Sequence, residues 1–233
     1  MVAPSRIVER FGADTARTYV LFIGPPDQDA DWSDEGVEGV HRFLGRLWRL
    51  SAEVAEREPE HGEGPPAAEQ AQGADLELLR KTHWAIDKVT GDLRRFAFNT
   101  AIAAVMELLN ECYRVRESAG TETLRFALAS AAAVLFPFAP HVCADAHELL
   151  LRTRVWEQPW PLADEAFLER DSYELVCQVN GKLRDRVQVA TNASAEELKE
   201  SCRVAPNVKA HVDGREIVKE IVVPGKLVNL VVR

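Results

Sequence analysis

The sequence predicts a mainly α protein: an antiparallel helical bundle followed by a small α+β module of order β–β–α–β–β. Three observations carry this. Apolar residues recur at three- and four-residue spacing from the N-terminus to about residue 170, the mark of helices buried on one face. Near residue 171 the apolar period changes to two, the mark of half-buried strands. The segment between Leu151 and the change of period holds Pro159 and Pro161 and no helical stripe. The expected organisation is a bundle over 1–170, with a mobile linker at 61–74, and a module over 171–233.

The bundle opens on SRIVERFGADTARTYVLF, two short helical pieces around Gly12. Pro25 and Pro26 then break the chain. A helix should begin near Trp32, with Ser33 as its cap and Asp34 and Glu35 favoured by the helix dipole in the first turn. Val37, Val40, Leu44, Leu47 and Val54 make its apolar face, and Arg42, Arg46 and Arg49 share a neighbouring face. HGEGPPAAEQAQGA, at 61–74, is polar, rich in Gly and Pro and aperiodic. The helical period resumes at Leu76, Leu79, Ile86, Leu93 and Phe96. Asn99 or Thr100 begins the next helix, whose stripe is Ile102, Val105, Leu109 and Cys112. Thr121 is placed to cap another, with Leu124, Leu128, Ala131 and Leu135 on one side, ended by Pro137 and Pro140. A last helix covers about 141–151, and the tail WEQPWP supplies large apolar anchors at Trp156 and Trp160.

In the module, Tyr173, Leu175, Cys177 and Val179 alternate with polar residues, as do Leu183, Val187 and Val189. Ala195–Arg203 reads as one helix, with Ser194 and Glu197 spaced as a capping box. Glu216–Val223 and Leu227–Val232 read as two strands around Pro224-Gly225.

Composition excludes several classes of function. A hydrophobic share of 46% with 28% charged residues is that of a soluble globular chain. No apolar run is long enough for a spanning helix and the first residues carry no signal-peptide core, so a cytoplasmic protein without a membrane partner is expected. Cys112, Cys143, Cys177 and Cys202 form no CxxC pair and read as isolated, reduced, buried thiols. The net charge of −9 argues against coating nucleic acid without specificity. The charge is uneven: 171–233 holds 10 Lys+Arg against 9 Asp+Glu, leaving 18 against 28 elsewhere. Any nucleic-acid contact must therefore use local basic patches.

Gly181-Lys182 and Gly225-Lys226 each look like half of a phosphate loop. A full loop needs an earlier Gly, a following Ser or Thr and a helix. Here Val176 and Glu220 stand where the earlier Gly would be, and Leu183 and Leu227 follow the lysines. Both pairs read as hairpin turns, so no nucleotide is expected on this chain. A two-residue Asn180-Gly181 turn would pair Val179 with Lys182. A three-residue loop would pair Gln178 with Lys182 and put Leu183 and Val187 with the apolar set. The three-residue loop is favoured, and it makes Lys182, Arg184 and Arg186 a solvent-facing basic row. Such a row is either an ordinary charged sheet face or a contact for a phosphate backbone.

HVCADAH at 141–147 brings His141, Cys143 and His147 close, but a structural zinc site needs a fourth ligand and no second cluster is visible. No metal is expected. His83 falls on an apolar stripe and reads as a satisfied core residue. Asn192-Ala-Ser194 matches a glycosylation acceptor by chance, and no nucleophile elbow, GxGxxG or HExxH occurs.

Three stretches resemble one family. IVERFGADTARTYVLFIGPPDQDADWSDEGVEGVHRFLGRLWRL (7–50) resembles the segment that opens the anticodon-binding bundle of bacterial leucyl-tRNA synthetases. RRFAFNTAIAAVMELLN (94–110) is similar to a helix of that bundle, and QVNGKLRDRV with VVPGKLVNLVV to the family's small C-terminal domain. The family's HIGH and KMSKS motifs do not occur, so no catalytic residue is carried over, and the catalytic domain is expected elsewhere, on the same or a separate chain. The resemblance implies leucine tRNA as partner, not DNA, held through shape and phosphates, with ATP and Mg needed only by the full enzyme. It supports Arg95, Asn99, Lys182, Arg184 and Lys226 as tRNA-binding candidates. Helical spacing adds Arg42, Arg46 and Arg49; Arg94 and Arg186 complete the set. No obvious base-stacking aromatic patch is expected. The competing expectation is a free-standing scaffold derived from such a piece.

Overall fold

The computed structural model describes residues 4–25, 27–29, 31–58, 64–168, 172–190 and 193–233. Pro26, residues 61–63 of the expected linker, 169–171 at the change of period, and Asn192 lie outside the described residues. The chain divides into two compact units, Met1–Leu168 and Glu169–Arg233. Among the described residues there are ten α-helices, one 3-10 turn and four strands. Among the described residues no helix is long and apolar enough to cross a membrane.

The first unit is a bundle. α1 (Pro4–Phe11) and α2 (Ala13–Phe22) meet at Gly12, whose φ of 85° makes the sharp junction that glycine permits. α3 (Asp34–Ala55) starts as expected, with the Ser33 side chain accepting the Gly36 N–H. α4 (Gly73–Arg94), α5 (Phe98–Val115), α6 (Thr121–Leu135) and α7 (Pro140–Leu151) follow. Most of the stripe residues read from the sequence form one core, with Leu47, Leu108, Leu124, Leu128 and Leu135 wholly buried there, while Leu79 packs with Ala71 and Phe167.

Several boundaries differ from expectation. Phe96 is not on the stripe of α4: the helix ends at Arg94 and the ring is 65% exposed. α5 begins at Phe98, and Thr100 instead donates to the Asp92 carboxylate, 2.6 Å away. Thr121 does not cap α6. Gly120 occupies the cap position, and its N–H is taken by Asp75 Oδ1 at 2.8 Å from α4. In the tail after α7 a 3-10 turn covers Val155–Glu157 and a short α8 covers Glu165–Leu168. Trp160 anchors it by donating to Thr90 Oγ1 at 2.8 Å, whereas Trp156 stays exposed. His83 is the buried, satisfied residue expected. Its Nδ1 accepts the Asp164 N–H at 3.1 Å, its ring stacks on Phe167, and burial lowers its pKa against the opposing pull of Asp164.

Gly36 shows how tightly the start of α3 is set. A Cβ there would lie 2.8 Å from Cε2 of Tyr19. That ring cannot easily move: it is buried, its hydroxyl accepts the Ser33 N–H at 2.8 Å, and Trp32 packs edge-on against it at 4.8 Å. Overpacking costs about 1–3 kcal/mol, and better helix propensity returns up to about 1 kcal/mol. Gly36→Ala should therefore lower the thermal midpoint of the helical unit. A midpoint that holds or rises would show that the ring gives way.

The second unit is a four-stranded sheet of order β2-β1-β4-β3, built from β1 (Ser172–Val179), β2 (Lys182–Ala190), β3 (Ile217–Val223) and β4 (Leu227–Val232). The central pair β1/β4 is parallel and the outer pairs are antiparallel. α9 (Ala195–Val204) opens on the expected capping box, with Ser194 and Glu197 exchanging hydrogen bonds. A second helix, α10 (Pro206–Val212), follows at once, so the order is β–β–α–α–β–β. Both helices pack on the face of Leu175, Cys177, Val228 and Leu230. Cys177 and Cys202 are both buried in this core, and Cys177 Sγ donates to the Leu175 carbonyl at 3.9 Å.

Candidate nucleic-acid interface

The α4–α5 corner carries Arg94, Arg95 and Asn99, and one buried carboxylate builds it. Asp92 is 1% exposed. Its side chain takes Lys88, Arg95 Nη2 at 2.7 Å and Thr100 Oγ1 at 2.6 Å, while its carbonyl takes the N–H groups of Arg95 and Ala97. Burial alone would raise the Asp92 pKa. Hydrogen bonds from Lys88, Thr100 and Arg95 outweigh it and hold the carboxyl below the usual carboxylate value. The chain therefore turns within three residues. Arg94, the last residue of α4, and Arg95 just after it face solvent, and Asn99 sits half-buried in the first turn of α5. Arg94 makes no ion pair among the described residues, and Arg95 reaches only back to Asp92.

On α3 the expected row separates into free and engaged members. Arg42 is exposed, with a loose ion pair to Glu38 at 3.9 Å, and Arg49 is exposed. Arg46 is committed to the fold: it donates to Asn110 Oδ1 at 2.9 Å and lies over the Tyr113 ring at 4.5 Å, tying α3 to α5.

In the second unit the three-residue loop is not formed. Asn180 (φ 50°) and Gly181 (φ 75°) make a two-residue turn, and Val179 pairs with Lys182. Two successive left-handed residues match the twist of the strands, and Asn-Gly takes that conformation readily. The register then shifts: Gln178 pairs with Leu183 but Cys177 with Asp185, which leaves Arg184 as a bulge. The extra residue restores parity, so Val187 and Val189 return to the apolar face while Leu183 stays exposed. Lys182, Arg184 and Arg186 are therefore not one row. Lys182 is exposed on the Val179 side, Arg184 is half-buried with its Nε unpartnered, and Arg186 stands on the opposite face, paired with Glu174 at 2.8 Å. Lys226 is exposed in the β3–β4 turn. Because β1 and β4 are parallel, the two Gly-Lys turns lie at opposite ends of the sheet.

The turns are structural. Gly181 N–H donates to Asn229 Oδ1 at 3.0 Å, and the Asn180 amide exchanges two hydrogen bonds with the backbone of Val232. Lys226 N–H goes to Val223 O at 3.1 Å. These backbone donors are already used, and neither turn leads into a helix, so neither fits a nucleotide phosphate. His141, Cys143 and His147 also diverge. His141 meets Asp14 at 2.9 Å, His147 meets the Thr153 carbonyl at 3.0 Å, and Cys143 is buried in the core. Among the described residues no group of three His, Cys, Asp or Glu could hold a metal ion.

Several single aromatic rings are nonetheless exposed. Trp32, Trp48, Trp156 and Phe96 are all substantially exposed, and Phe96 lies between the corner arginines and Asn99. Periodicity placed it in the core because it marks an apolar residue without marking where the helix stops.

Known proteins agree with this architecture. A family model described as the anticodon-binding domain of tRNA ligase matches residues 75–199. The leucine–tRNA ligase of Chromohalobacter salexigens is 45% identical over 237 residues, covering 99% of this chain and 27% of that protein. That of Hahella chejuensis is 43% identical over 236 residues, with 100% and 27% covered. The chain thus spans little more than a quarter of the length of these curated relatives. Among solved structures, LeuRS agnB2 of Agrobacterium radiobacter K84, in a ternary complex with tRNA and LeuAMS, superposes with a TM-score of 0.85 at 30% identity, over 100% of this chain and 30% of that one. Apo methionyl-tRNA synthetase of Mycobacterium tuberculosis, at 20% identity and TM-score 0.52 over 70% of this chain and 39% of that one, shares the fold.

Proposed function

The chain belongs to the anticodon-binding-domain family of tRNA ligases, and we propose that it holds leucine tRNA for a leucine–tRNA ligase, through shape and phosphate contacts. The observation that carries this reading is the whole-chain match to a synthetase in complex with tRNA. The placement of the cations supports it. On a chain of net charge −9, Arg42, Arg49, Arg94 and Arg95 of the bundle and Lys182, Arg186 and Lys226 of the module remain at the surface. Salt-dependent phosphate contacts need such scattered, exposed cations. Arg46, Arg184 and Asn99 take supporting places, one bound within the bundle, one in a bulge and one at the start of α5.

In this reading, ATP-dependent attachment of leucine takes place on a catalytic domain outside these residues, joined to them or on a separate chain. This chain alone is inactive and holds neither ATP nor Mg. The reading places it in the cytoplasm, where tRNA charging occurs.

Because the bulge splits the basic row, the informative substitution in the module is Lys182→Gln with Arg186→Gln. Arg184 is left in place to keep the register. Binding of a leucine tRNA transcript, followed by fluorescence anisotropy, should weaken about tenfold, and the salt slope should fall by roughly one for each phosphate no longer neutralised. Unchanged affinity would take these two residues out of the interface. If the unaltered chain binds no tRNA at low salt, the scaffold reading takes its place.

A further inference from the structure

We propose that Phe96 is a platform on which an unpaired tRNA base stacks. The inference rests on the tRNA-binding reading above and deepens it. Phe96 adopts φ 58°, a conformation that a bulky side chain rarely takes and that glycine or asparagine would occupy without strain. Its N–H donates to Leu93 O at 3.2 Å, and the flanking Arg95 and Ala97 N–H groups both go to Asp92 O. The ring is 65% exposed and contributes little to the core. A phenylalanine at this position therefore costs backbone strain and apolar exposure, against which folding returns only the contact with Phe98.

The ring is nevertheless held in place. It meets Phe98 edge-on at 5.6 Å, and Phe98 meets the buried Phe138 edge-on at 6.0 Å. These aromatic contacts tie the ring to the core while most of it stays open to solvent. Arg94 and Arg95 are exposed immediately beside it, Arg94 without an ion pair among the described residues. A firm π-face next to guanidinium groups suits a nucleotide: the base stacks and the adjoining phosphates meet the cations. An apolar protein surface would use the ring but has no need of the two arginines.

The test measures leucine tRNA affinity for the full chain and three variants. Phe96→Tyr keeps a stacking face and should bind as the unaltered chain does. Phe96→Leu keeps apolar bulk and should bind about tenfold more weakly, with the salt slope unchanged because every cation is kept. Phe96→Gly should show the same weakening while its thermal midpoint stays level or rises, since the positive φ is relieved. That division between stability and affinity is not expected of a ring that serves only the fold. If Phe96→Leu binds as well as the unaltered chain, which itself binds with a steep salt slope, the platform is overturned, the tRNA reading stands, and the ring is left as a protein contact. If the unaltered chain binds no tRNA, both fall together.

Discussion

Asp92→Asn should destabilise the helical unit by about 3 kcal/mol, the range for hydrogen bonds to a buried charge. The side chain is 1% exposed and serves three donors, from α4, the corner and α5. Asparagine fits the space but carries no charge, and its amide would turn a donor toward groups that are themselves donors. The partners differ in weight. Arg95 is 70% exposed on its side chain, so its pairing is screened by solvent and contributes little. Lys88, at 35%, and Thr100 carry most of the effect. Denaturant unfolding followed by helical circular dichroism would measure it. A destabilisation below about 1 kcal/mol would mean that the backbone alone holds the corner.

The same residue predicts a pH dependence of definite sign. Its folded pKa lies below the ordinary value of 3.8. Its stabilisation is therefore fully present above that value and is lost as pH falls through the lower, folded one. The gap between the unaltered chain and Asp92→Asn should be widest near neutral pH and close at pH values below 3.8. A gap independent of pH would show that the carboxylate charge is not what stabilises the corner.

This corner also marks the limit of what the sequence reveals. Val37, Val40, Leu44 and Leu47 announce α3 because a helix buried on one face must repeat its apolar residues. Ser33 and Ser194 announce helix starts because their hydroxyls complete local hydrogen bonds. The end of α4 is set by a contact between residues eight apart, Asp92 with Thr100, and no periodicity reports it. The cap of α6 is likewise supplied from α4, by Asp75. The bulge at Arg184 reverses side-chain parity, so the expected basic row of Lys182, Arg184 and Arg186 is not formed. α10 escaped notice because Pro206 starts it two residues after α9 ends.

The candidate site was legible as a set of cations but not as a surface. Arg42, Arg46 and Arg49 look alike in the sequence. Only the fold shows that Arg46 is taken up by Asn110 and Tyr113 while Arg42 and Arg49 stay exposed. The exposed cations are spread over both compact units. That arrangement suits a large, evenly charged ligand better than a small one.

The most direct test of tRNA binding through phosphates is its salt dependence. Affinity for a leucine tRNA transcript should be measured from 50 to 200 mM KCl. With about five phosphate contacts, counterion release predicts a weakening on the order of 10²-fold or more across that range, linear in the logarithm of salt concentration. Affinity that stays flat with salt, or no binding at the lowest salt, would contradict the account.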